Sequence, residues 1–152
     1  MMENYAVFIH AVLGAGFVMT MTVMQGVVGP AMKRLANCAD KAQAAAVIQA
    51  RAQKAMDIVI ALMIVTVLYM LHAKWDMIRP NHLLHAKIGF GLVALTLAAL
   101  LHFYWRGKKR RLKEAGETAR FESLSRMTLA LEKVVLACAW IAFLLAIGFN
   151  HL

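Results

Sequence analysis

The chain has 152 residues, 62% of them apolar, with a formal net charge of +9 and a mean hydropathy of +0.64. That composition excludes an ordinary soluble domain, in which apolar residues make up about half of the chain. The basic residues sit between long apolar runs and have no folded domain around them, which speaks against a nucleic-acid partner and for a membrane-topology signal.

Four runs are long and apolar enough to cross a hydrocarbon core, which takes about 20 helical residues. They are expected at about 5–28, 55–73, 83–104 and 127–149, and they are apolar all round instead of striped like the helices of a soluble bundle. The first, Tyr5–Val28, is closed by Gly29-Pro30. Glu3 precedes it, with no Lys or Arg and no evident small-residue cleavage site, so it reads as a retained helix and not as a signal peptide. His10, Gly14, Phe17, Met21 and Gln25 lie along one stripe of it at helical spacing. His10 is five residues into the run, roughly 8 Å deep at about 1.5 Å per residue, where an imidazole needs a partner or a cavity. Gly14 is one turn deeper, with Gly16 nearby, and leaves room either for a flat ring or for a close helix–helix contact.

The next segment carries Lys33, Arg34, Lys41, Arg51 and Lys54, together with Cys38. The second run, Ala55–Ala73, holds Asp57 at one end and Met70 and His72 at the other. A short connection follows with Lys74, Met77 and Arg79-Pro80-Asn81. His82 and His85 open the third run, Leu83–Tyr104, and share a face because they are three residues apart. Lys87 is slightly deeper, where an ammonium costs about 3 kcal/mol unless it meets a partner or snorkels outward. His102 lies near the far end, and Arg106-Gly107-Lys108-Lys109 stops the run. Arg110, Arg111, Lys113, Arg120 and Arg126 continue the basic segment. The fourth run, Met127–Phe149, contains Glu132, Lys133 and Cys138 and ends just before His151. No disulfide between Cys38 and Cys138 is expected.

Most of the 17 basic residues therefore follow runs one and three, against only Lys74 and Arg79 after run two. Positive charge is retained on the cytoplasmic side. The expected architecture is an all-α, integral-membrane four-helix bundle, a single domain over 1–152 with both termini outside. In a Gram-negative bacterium the termini would be periplasmic, the protein multi-pass in the inner membrane and the basic loops cytoplasmic. Membrane lipids are expected partners, anionic ones at the basic loops.

With that orientation five of the six histidines, His10, His72, His82, His85 and His151, gather on the outer side, with Met70 and Met77 as further soft donors. A second polar layer, Asp57, His102, Glu132 and Lys133, lies toward the cytoplasm. Interhelical ion pairs are its simplest role; a proton path or a quinone-headgroup site is the alternative.

The run Leu84-His85-Ala86-Lys87-Ile88 opens a third helix that ends in Arg106-Gly107-Lys108-Lys109-Arg110-Arg111. With His10 early in helix 1, the basic segment between helices 3 and 4, and Arg126 opening the last helix, the chain resembles the HemJ family of bacterial protoporphyrinogen oxidases. It is also similar to the wider group of CopD-like four-helix membrane proteins. The resemblance implies haem b and protoporphyrinogen oxidation. It covers the architecture of the whole chain and short motifs only: Gly29-Pro30-Ala31-Met32-Lys33-Arg34 and Leu129-Ala130-Leu131-Glu132 depart from the family pattern.

Three functions stay open. The first is a membrane b-type haem protein transferring electrons, either a HemJ-like oxidase or the cytochrome subunit of a membrane redox complex. In it His10 and His85 are the axial candidates, His72 a substitute, Gly14 the ring clearance, and Lys87 the group that meets a propionate or an acidic substrate. Quinone and a partner redox subunit are the implied partners, in a homo- or hetero-oligomer. The second is a CopD-like protein handling copper or another transition metal through His10, His72, His82, His85 and the outer methionines, in which His82 and His85 can bind one ion together. The third is a cofactor-free accessory subunit.

Overall fold

The computed structural model describes residues 2–36, 41–73 and 82–149, and its regular structure is entirely helical. Expectations placed on Cys38, Lys74, Met77, Arg79 and His151 lie outside the described residues. Among the described residues, four helices are long and apolar enough to cross a membrane, over Val7–Met32, Ala46–Ala73, His82–Glu114 and Thr118–Ile147. The chain divides into two compact units, Met1–Leu68 and Tyr69–Leu152.

In the first unit, α1 (Met2–Val23) passes through a π-helical turn, Met24–Val28, into α2 (Gly29–Ala36). α3 (Ala42–Ala73) follows and continues into the second unit. Gly29-Pro30 does not close the first helix, because the π turn carries the chain past the proline. Pro30 has no N–H, and in a regular α-helix its ring would strike the carbonyl four residues back. Here the Gly29 N–H bonds Met24 O, five residues back, which opens the turn. A Cβ on Gly29 would lie 2.9 Å from that same carbonyl oxygen, so only glycine fits. Phe17, Val18 and Met21 of α1 and Met56 and Ile60 of α3 are buried.

In the second unit, α4 (His82–Ala99), a second π-helical turn (Leu100–Trp105) and α5 (Arg106–Glu114) form one helical rod. The basic run was expected to stop the third helix, but the helix continues through it. Charge ends the stretch that can sit in hydrocarbon, whereas Lys, Arg, Leu and Glu are good helix formers and let the backbone carry on. For the same reason α3 begins at Ala42, well before Ala55, within an Ala- and Gln-rich stretch.

The rod ends in a Schellman motif. Gly116 takes φ +71, Glu117 N–H bonds Leu112 O at 3.0 Å, and Gly116 N–H bonds Lys113 O at 3.2 Å. The chain then reverses into α6 (Thr118–Phe149), which starts nine residues before the expected Met127. Exposed pairs Arg110–Glu114 at 3.4 Å and Arg120–Glu117 at 2.8 Å flank this reversal and add little stability.

α4 and α6 pack along a seam of small side chains. Gly91, Ala94, Leu95, Ala98 and Leu101 recur at three- and four-residue steps, and a Cβ on Gly91 would meet Ala142 Cβ at 4.0 Å. Across the seam Thr128, Val135 and Ala139 are buried. The Thr128 hydroxyl donates to Ser125 O of its own helix at 3.0 Å, so its burial leaves no unmet donor. Two helices with no hydrophobic drive between them in lipid associate through this kind of close backbone approach.

Candidate ligand site

The stripe on α1 is that helix's inward face. Phe17 and Met21 are buried, while His10, Gly14 and Gln25 are half-buried. One turn of α1, His10 to Gly14, meets one turn of α3, Met63 to Thr66. His10 Nδ1 lies 3.1 Å from Thr66 Oγ1, and the Thr66 hydroxyl donates to Met63 O at 3.0 Å. A Cβ on Gly14 would touch Met63 Cε at 3.9 Å. The clearance at Gly14 on this side is thus filled by α3, and the contact is a helix–helix one.

A hydroxyl has one hydrogen. With that hydrogen on Met63 O, the short contact to His10 requires the imidazole to donate from Nδ1. The contact ties the imidazole to α3, as the rings of ligand histidines are commonly tied by a neighbouring polar group. An imidazole is of the donor type that could ligate haem iron or a smaller metal ion.

The other candidate ligands among the described residues belong to the second unit. His72 is exposed near the end of α3. His82 and His85 are exposed on the first turn of α4, as their spacing predicts, and their rings meet edge to face with centroids 6.2 Å apart and an interplanar angle of 65°. Lys87, just beyond, is half-buried. Among the described residues, no group of three or more His, Cys, Asp or Glu side chains converges as a ready metal cage.

Of the second polar set, Asp57 in the first unit and Glu132 in the second are half-buried, and Lys133 is exposed. Glu132 acts electrostatically on Lys109, which is half-buried on α5. His102 is half-buried within the second π turn, an element that often marks functional positions.

Sequence reasoning missed two of these residues. Thr66 had a signal: it is the only Ser or Thr in 55–73 and lies about 10 Å from the His72 end of that run, much as His10 lies about 8 Å from the start of its own. Lys109 had none, because its approach to Glu132 exists only if the basic run is helical.

No protein-family model, curated protein or solved structure matches the chain.

Proposed function

We propose that this chain is a membrane b-type haem protein that transfers electrons, either as a HemJ-like protoporphyrinogen oxidase or as the cytochrome subunit of a larger redox complex. One observation carries the reading: an imidazole set within a helix long and apolar enough to cross a membrane is held at Nδ1 by a hydroxyl on a neighbouring helix, as the imidazole of a ligand histidine commonly is.

Haem b supplies a one-electron iron couple when bound. The residues do the rest. His10 and His85 would hold the haem iron, with His72 as the substitute. The apolar faces of the spanning helices keep water away from the site. Lys87 offers a positive charge to a propionate or to an acidic substrate group. Quinone or a partner redox subunit accepts the electrons, and lipids surround the rest. The proposed topology is that of a bacterial inner-membrane protein with both termini outside and the basic segments cytoplasmic, because lysine and arginine are retained on that side.

The test is optical. The full chain, expressed with haem supplied and purified in detergent, should show a Soret band that shifts on dithionite reduction. His10→Ala should abolish that band, and His85→Ala should shift or weaken it. A colourless protein without iron sinks the reading.

A second reading has its own observation. The adjacent His82 and His85 rings on one helix turn suit a small ion that takes both imidazoles, which one haem cannot do from a single face. A colourless protein that binds copper, and loses it in His82→Ala, establishes that reading instead.

A further inference from the structure

We propose that Tyr104, Lys108 and Arg111 form a headgroup site for one anionic phospholipid on the exposed flank of the helical rod, with Lys108 and Arg111 holding the lipid phosphate. The proposal rests on the reading of the chain as a membrane protein and is independent of haem. Net charge alone gives a diffuse attraction of the basic segment to anionic lipid; helix geometry narrows it to a discrete site.

Helical spacing groups the three residues. Tyr104 and Lys108 are four apart and Lys108 and Arg111 three apart, so they line one flank, and all three are exposed. Arg110, Lys113 and Glu114 stand on the opposite flank, while Lys109 and Leu112 are half-buried. The acids of the hairpin are already matched. Glu114 pairs with Arg110 at 3.4 Å, Glu117 with Arg120 at 2.8 Å and Glu122 with Arg126 at 3.9 Å. Neither Lys108 nor Arg111 forms an ion pair with a described residue.

Depth and direction then select a partner. Tyr104 and Trp105, edge to face with centroids 6.3 Å apart, are the last aromatic pair before the basic run. Such residues mark the level where hydrocarbon meets headgroups. Lys108 lies about 6 Å and Arg111 about 10 Å beyond Tyr104 along the axis, and a headgroup layer is about 5–8 Å thick. Helical side chains lean toward the N-terminus, which for this rod is its apolar end, so both cations lean back into the phosphate layer. α6 runs the opposite way: Arg120 and Arg126 lean from the apolar span toward Glu117 and Glu122, where their ion pairs lie. Lys113 is on the far flank and about 14 Å past Tyr104. The Arg111 guanidinium offers a planar fork to two phosphate oxygens, Lys108 a second positive charge, and Tyr104 a ring beside the glycerol. A choline headgroup would bring its own cation against them, so a lipid of net negative charge is favoured. The inward lean of both cations favours lipid over a nucleic acid arriving from water.

The full chain, purified in detergent, is mixed with equal amounts of phosphatidylglycerol and phosphatidylcholine of the same acyl chains and read by native mass spectrometry. A one-lipid adduct dominated by phosphatidylglycerol is expected. Lys108→Gln with Arg111→Gln should weaken it about 30-fold, and each alone about 5-fold. Arg110→Gln with Lys113→Gln removes the same charge from the opposite flank and should leave the adduct nearly unchanged. All four positions are exposed and glutamine is a good helix former, so helix content should hold in every variant. Equal losses in the two double variants, or equal retention of the two lipids, overturns the proposal. Displacement of the lipid by inorganic phosphate or by a short RNA overturns it as well. A colourless chain that keeps this lipid pattern removes the haem reading and leaves the headgroup site standing.

Discussion

His10 and Lys109 show how much a single polar side chain depends on a partner from another helix. His10 meets Thr66, 56 residues away in sequence. Lys109 is half-buried and lies under the influence of Glu132 on α6. Removing one member of such a pair leaves the other partly desolvated, which costs more than the pair itself contributes. Glu132→Gln should therefore lower stability by about 1 kcal/mol, a figure kept small because Lys109 still reaches solvent. Lys109→Met combined with Glu132→Gln should recover most of that loss. Midpoints of SDS-induced unfolding in mixed micelles would measure both. Equal losses in the single and double variants would show that the two charges do not interact.

At the scale of elements, the two π turns are the feature hydropathy could not foresee. The first has a local cause in Pro30 and a local requirement in Gly29, whose absent Cβ leaves room for Met24 O at 2.9 Å. Gly29→Ala should cost about 1–3 kcal/mol, because a backbone carbonyl and not a flexible side chain must move. Pro30→Ala removes the reason for the wide turn and restores an N–H for a regular bond. Adding Pro30→Ala to Gly29→Ala should then return much of the stability, since an α turn has space for the methyl group. Thermal midpoints of the two single variants and the double variant test this coupling. Simple additivity would mean that proline is not what opens the turn.

For the whole molecule, the long helices beyond the apolar runs matter most. α5 and the first turns of α6 are helical, charged and largely exposed, so the basic segment is a structured hairpin and not a loose loop. The proposed orientation puts this hairpin in the cytoplasm. With Cys38 and Cys138 replaced by serine, Lys108→Cys should resist a membrane-impermeant thiol reagent in spheroplasts and react only after permeabilisation. Glu3→Cys should react at once. The opposite pattern would invert the topology and move the histidine-rich ends of the spans to the cytoplasmic side.

The four spans, the shared face of His82 and His85 and the inward stripe of α1 were legible in the sequence because each depends on local order. Hydropathy adds up along a run, and residues three or four apart share a helix face wherever that helix packs. The helix ends were misjudged because a charge that stops insertion does not stop a helix, and because a π turn can carry a chain past proline. The choice of partners was not written in any local pattern. That His10 bonds Thr66, that Gly14 faces Met63 and not open space, and that Glu132 acts electrostatically on Lys109 all depend on the axial register between helices. A shift of one residue moves a side chain about 1.5 Å along the axis and about 100° around it. Composition and spacing thus determined that the chain forms helices long and apolar enough to cross a membrane and where its ionisable groups sit along each helix. Only packing decided which of those groups meet, because hydrogen bonds and close contacts are set by distances that the sequence does not contain.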